Sequence, residues 1–236
     1  SQNYDLSFSL YDNSIGLLTI GAFLKRIDNL IFPRTSYITN PSLYPGIPKT
    51  TRGYLISTYI NDPYRVNVWG AEFNWQTHFW YLPEPFTGLV LNVNYTHIFS
   101  GARYPYTLTV PGVYPTYIPT YVDTFYTDRL LYQPNNIANL SVGYDYEGFS
   151  IRVSMIYDAN VFHRANFWPE LRADKAKYLR WDLSAKQNLP WFGLEAFFDL
   201  NNINGESDIY VIHGSGFPQS EQDYGMTADM GLRWRL

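Results

Sequence analysis

Apolar and polar residues alternate with period two along most of this chain. Tyr4, Leu6, Phe8 and Leu10 interleave with Asp5, Ser7 and Ser9, and Trp69, Ala71, Phe73 and Trp75 oppose Glu72, Asn74 and Gln76. Leu89, Leu91, Val93, Tyr95 and Phe99 face away from Asn92, Asn94 and Thr96. The pattern recurs over 138–146, 149–157, 179–185 and 194–200. In the last stretch Met226, Ala228, Met230, Leu232, Trp234 and Leu236 oppose Thr227, Asp229, Gly231, Arg233 and Arg235. Successive side chains of a strand leave opposite faces, so each segment predicts a strand with one apolar and one wet face. Ile15 to Ile31 reads as one more strand, apolar-rich and ambiguous in facing, which brings the total to about nine.

The connections carry a second pattern. Short ones near 12–14, 83–86, 147–148 and 189–191 alternate with long ones near 32–63, 101–133, 162–176 and 202–223. The long ones, rich in Pro, Asn, Gly and Tyr, read as loops. Short turns at one end and long loops at the other are the arrangement of an outer-membrane barrel; a soluble sandwich or propeller gives no reason for it. The expected fold is therefore all-β, an antiparallel transmembrane β-barrel. The polar face would line the lumen, with Glu72, Asp145, Glu147, Arg152, Asp158, Arg180, Asp182, Lys186, Glu195, Asp199, Asp229, Arg233 and Arg235 forming cross-strand pairs. An odd number of strands does not close simply on itself. Residues 1–236 are thus expected to be the C-terminal portion of a larger barrel, or to pair with a second chain that completes it.

Composition narrows the class. Aromatic residues make up 19% of the chain, more than a globular core requires, yet mean hydropathy is −0.25. No run is long and apolar enough for a membrane-spanning helix. Trp69, Trp80, Tyr81, Trp191 and Trp234, near strand ends, suit the two membrane interfaces. There is no Cys, which excludes disulfides and thiolate metal sites. A net charge of −4 argues against nucleic acid as a partner. The opening Ser-Gln-Asn-Tyr-Asp lacks the features of a signal peptide, as expected of a mature terminus or the start of a fragment. No Gly-x-Ser-x-Gly or His-Glu-x-x-His is present, and His78, His97, His163 and His213 are dispersed. Neither an enzyme nor a metal or other cofactor is expected.

Several segments resemble the TonB-dependent outer-membrane receptor family. Tyr11-Asp-Asn-Ser-Ile-Gly-Leu-Leu-Thr-Ile-Gly-Ala-Phe-Leu-Lys-Arg-Ile-Asp-Asn-Leu-Ile31 is similar to a late hairpin of that barrel, and Val68-Trp-Gly-Ala-Glu-Phe-Asn-Trp75 to one of its downward strands. Asn92–Thr96, Asn139–Tyr144 and Trp181–Ser184 look like its closing strands. Gly231, Leu232, Trp234 and Leu236 resemble the terminal signal read by the barrel-assembly machinery, with Leu where Phe is common. The resemblance implies a barrel of about 22 strands, a plug domain that this chain does not contain, and energy supplied by TonB through that plug or an N-terminal segment. It implies uptake of a scarce nutrient such as a siderophore, cobalamin or an oligosaccharide, with outer-membrane lipid around the barrel, long loops extracellular and a periplasmic C-terminus. A passive porin or structural barrel assembled from split chains stays open beside it. For ligand contact the best candidates are Tyr104, Tyr106, Tyr114, Tyr117, Tyr121 and Tyr126, aromatic residues held among prolines in the loop that follows Gly101.

Overall fold

Each alternating segment forms a strand, and the strands pair in chain order. The computed structural model describes residues 1–236 apart from Thr39, Tyr44, Pro45, Lys49, Thr51, Arg52, Phe192, Arg235 and Leu236. Its first eight strands are β1 (Gln2–Asp12), β2 (Gly16–Ile27), β3 (Ile31–Tyr37), β4 (Leu55–Asn61), β5 (Val66–His78), β6 (Leu89–Val110), β7 (Thr120–Asp128) and β8 (Asn136–Tyr146). The remainder are β9 (Phe149–Ala159), β10 (Val161–Arg164), β11 (Ala173–Lys175), β12 (Tyr178–Asn188), β13 (Leu194–Asn201), β14 (Ser207–Ile212), β15 (Pro218–Asp223) and β16 (Thr227–Trp234). The main sheet is an antiparallel meander, β1-β2-β5-β6-β8-β9-β12-β13-β16, with β7 paired to the far part of β6. β1 and β16 are its two edges, so the sheet is open.

The cross-strand register gathers the apolar positions on one face. Phe8, Ile20, Phe73, Tyr95, Ala138, Tyr157 and Leu179 stand in one row, each opposite the next. Nearer the chain's end, Val142, Val153, Leu183, Leu200 and Ala228 form another. No Asp, Glu, Lys or Arg stands on that face in β5, in β6 up to Gly101, or in β8, β9, β12, β13 and the described part of β16. The opposite face is polar: Ser9, Thr19, Asn74, Asn94 and Asn139 share one row, and Gln76, Asn92, Ser141, Ser154 and Asp182 the next. A one-residue slip anywhere would exchange the faces, so the alternation itself fixes the register.

Turn chemistry closes the short connections. The Asp12 carboxylate accepts the backbone N–H groups of Ser14 (2.8 Å) and Ile15 (3.2 Å), which tightens the first turn. Glu147 and Gly148 both take positive φ, 45° and 82°. That is what a two-residue hairpin turn matching the twist of β8 and β9 requires.

The long connections depart from the sequence expectation. Those over 32–63, 101–133, 162–176 and 202–223, read as loops, contain β3–β4, the β6–β7 extension, β10 with β11, and β14–β15. Their prolines sit where no ladder bond is lost: Pro33 and Pro218 lie on edge strands, and Pro105 lies beyond Gly101, where β5 no longer pairs with β6. Ile15–Ile31, read as one strand, is β2 followed by the start of β3. Its facing is ambiguous because the polar face turns apolar toward the long connections, where Phe23 and Ile27 pack against an inner cluster of Phe32, Val66, Val68, Ile98, Ala102, Tyr104 and Phe162.

Candidate functional site

All the long connections emerge at one end of the sheet, and the β6–β7 hairpin rises from their midst. β6 continues past the last residue paired with β5, and its register with β7 runs without a break from Ala102↔Asp128 to Val110↔Thr120. The base of the hairpin is buried. Tyr104 is 1% exposed, with the rings of Phe32 and Tyr126 centred 5.1 and 5.3 Å from its own. Its hydroxyl donates to the Arg129 carbonyl (2.7 Å) and accepts the Leu131 N–H (2.9 Å), which uses its polar tip internally.

Charged pairs surround this aromatic base and join connections distant in sequence. Arg129 donates two bonds to Asp174, at 2.8 and 2.7 Å, and Asp174 also meets His213 at 3.2 Å. Arg172 reaches Asp128 at 2.7 Å and lies over the Tyr126 ring. Lys175 lies between Asp158 (3.4 Å) and Asp208 (2.9 Å). The β9–β12 connection is thus tied to the end of β7 directly, and the β13–β16 connection is tied in turn to the β9–β12 connection. Both bonds to Asp174 come from Nη2 of Arg129, while its Nη1 donates to the Asn160 carbonyl at 2.8 Å, so the guanidinium is held from two sides.

Burial raises the Tyr126 phenol from 10.0 to about 12 and pushes the Tyr104 phenol up as well. Both bind their protons more tightly folded than unfolded. The stabilisation from keeping them neutral is therefore complete below pH 10 and is lost as pH climbs towards 12. An alkaline titration should show these two tyrosines ionising late, together with loosening of the β6–β7 base. Tyrosinate absorbance beside hydrogen exchange over 100–131 checks this; ionisation of all tyrosines in one step near the ordinary value would contradict it.

The six tyrosines singled out from the sequence are not brought together. Tyr104 and Tyr126 belong to the base just described. Tyr106 stacks on Phe167 at 4.5 Å, and Tyr121 stacks on Tyr37 at 4.9 Å, so different connections pack against different parts of the hairpin. Tyr114 and Tyr117, at the tip, are 81% and 68% exposed and contact each other edge to face. Val113 and Ile118 beside them are also open. Gly112 permits the tip to close, since a Cβ there would meet backbone atoms of Tyr117 and Ile118 within 2.5 Å. The residues that hold the hairpin, Phe32, Phe162, Phe167, Arg129 and Arg172, were not singled out from the sequence. The close spacing of Asp128-Arg129 and Arg172-x-Asp174 was the one available signal.

Below this end of the sheet, the polar face carries two rows of amides and hydroxyls, the second ending on Asp182, with Ser154 donating to Ser141 at 3.2 Å. Charges flank them as cross-strand or neighbouring pairs: Arg152 with Asp145 (2.6 Å), Arg180 with Asp182 (2.9 Å) and Arg233 with Glu195 (3.3 Å). Among the described residues, no group of three or more His, Asp or Glu could hold a metal ion.

A sheet with one continuous apolar face, one polar face, and short and long connections at opposite ends is matched over residues 1–203 by the family model of the TonB dependent receptor-like β-barrel. The chain belongs to that family. No curated protein and no solved structure gives a match. TonB-dependent receptors are proteins of the bacterial outer membrane, a family of receptors and transporters rather than of enzymes.

The terminal strand of this TonB-dependent receptor barrel chain lies beyond the matched span. Gly231, Leu232 and Trp234 lie in β16, paired with Phe197, Ala196 and Leu194 of β13. Leu236 lies outside the described residues. Leu232 and Trp234 are exposed on the apolar face. Gly231 leaves room for the Phe197 ring, which a Cβ would meet at 2.8 Å, an aromatic laid over a strand glycine.

Proposed function

We propose that this chain forms wall and mouth of an outer-membrane receptor that takes up a scarce nutrient with energy delivered by TonB. One observation carries the reading: an apolar face bounded by aromatics runs across the meander. It is free of charge from β5 through the described part of β16, taking β6 as far as Gly101, with Asp12 of β1 and Arg26 of β2 only at strand ends. Trp69, Phe99 and Tyr157 lie toward the long connections, and Trp80, Tyr81, Tyr146 and Trp234 toward the short turns. That face suits lipid, and the polar face suits a lumen. The long connections are then extracellular and the short turns and C-terminus periplasmic. A bilayer does not tolerate unpaired strand edges, so β1 and β16 pair with further strands of a larger barrel whose C-terminal portion is residues 1–236. A plug domain would lie in a part of the protein outside this chain, or a second chain would complete the wall. Gly231, Leu232, Trp234 and Leu236 serve as the signal for the assembly machinery.

Ligand contact falls to the tip. Tyr114 and Tyr117 offer area and a polar end on a fixed support, with the stacked edges of Tyr106 and Tyr121 below. Replacing Tyr114 and Tyr117 by Ala should weaken capture of the nutrient about tenfold or more, with the amount of protein in the outer membrane unchanged. The decisive experiment is uptake by cells with and without a functional TonB system. Uptake that persists without it, together with swelling of liposomes containing the protein in neutral solutes, would identify a passive pore instead.

A further inference from the structure

The charge-free face ends abruptly at the long-connection end, and arginines mark its border. Parity along the strands places Arg26 of β2 on the apolar side, opposite Asn67, which in turn is opposite Gly101 of β6. Two residues further on, Arg103 stays on the side of Phe99 and Gly101, because β6 runs uninterrupted through this region. Arg65, just before β5, lies between them. Directly below, Trp69 and Phe99 stack at 4.2 Å, a flat aromatic pair at the edge of the apolar rows.

The three guanidinium groups are not equally engaged. Arg65 is bound to Asp28, Nε to Oδ1 at 2.7 Å. Arg26 and Arg103 form no ion pair with a carboxylate among the described residues. Arg103 lies over two rings, 5.2 Å from the centre of Phe125 and 5.9 Å from that of Tyr64. The same two rings, with Arg34, Pro63, Pro105 and Asp123, wall an open pocket of about 380 Å³. Arg34 donates to Asp123 and Thr107 through one nitrogen, while its Nε is buried without an acceptor. Counting Asp28 and Asp123 against the four arginines leaves the border with a surplus of positive charge.

We propose that this border is a binding site for the phosphate-bearing headgroup of an outer-leaflet lipid. The inference rests on the membrane reading given above. A phosphate held by Arg103 and Arg26, with the Arg34 pocket beside it, would leave its acyl chains alongside Trp69, Phe99 and the apolar rows. A freely dissolved anion would gain nothing from that second half. Basic side chains grouped at a membrane surface attract anionic lipid in this way, and the planar guanidinium fork matches phosphate oxygens.

Native mass spectrometry of the intact protein, carrying every strand that completes its wall, tests this in vesicles of phosphatidylcholine with a minor fraction of phosphatidylglycerol. The wild type should retain phosphatidylglycerol far above its share, and Arg26→Gln and Arg103→Gln should each lower that preference about fivefold. Lys25→Gln, one residue from Arg26 but on the polar face, should leave it unchanged. Equal retention of the two lipids, an equal effect of Lys25→Gln, or displacement of the retained lipid by inorganic phosphate would each overturn the proposal while leaving the membrane reading intact. Failure of the protein to float with vesicles of either composition would overturn both.

Discussion

Arginine at position 153 should destabilise the assembled protein by about 2–4 kcal/mol, whereas arginine at 154 should cost much less. Val153 lies in the middle of an apolar row, between Val142 and Leu183, and Ser154 lies between Ser141 and Asp182 on the polar face. The two positions are adjacent in sequence, share a strand and have the same backbone surroundings. Only the medium that each side chain meets differs. Equilibrium unfolding from lipid vesicles reads the difference directly. Similar penalties at both positions, or a larger one at 154, would mean that the apolar face does not meet lipid.

A cavity at the mouth should have a large but local effect. Phe162 is fully buried; its ring is 6.2 Å from that of Tyr104, and Arg129 lies over it. Phe162→Ala removes the ring on which the base of the β6–β7 hairpin rests. Truncations of this kind cost about 3–5 kcal/mol where the site cannot collapse. The loss should appear as faster hydrogen exchange over 100–131, while the part of the β8–β9 ladder near the Glu147-Gly148 turn, away from the cluster that Ile137 and Phe162 share, keeps its protection. Uniform loss of protection would show that mouth and wall unfold as one unit, contrary to this account.

The wall was legible in the sequence because each of its strands carries one apolar and one polar face. That constraint writes period two into residues such as Ala138 to Tyr146 and Phe149 to Tyr157, and the Glu147-Gly148 turn between them is equally plain. The mouth was less legible. The faces of β3, β7, β10, β11, β14 and β15 carry mixed residues and no clean alternation. Prolines 33, 105 and 218 argued for loops, and only the edge positions that tolerate them show why strands persist. Tyr104 illustrates the limit best. From the sequence it was one tyrosine of a rim; in the structure it is the centre of the packing, because Phe32 and Phe162, far away in the chain, cover it. The border arginines were hidden for a related reason. Arg26, Arg65 and Arg103 are scattered singly along the chain, and only the register places them side by side.

β6 has one further consequence. It is a single strand of 22 residues, from the short turn at its start to the tip of the mouth, and its part beyond Gly101 alone reaches about 30 Å at the usual rise. β6 passes the junction at Gly101 as one unbroken strand, and stacked rings and ion pairs brace the hairpin. The mouth of this protein is therefore a chimney rather than a lid. On the receptor reading proposed above, what enters would be decided by whether it fits between standing walls, and a pull on the tip would be transmitted straight into the ladder that β6 shares with β5 and β8.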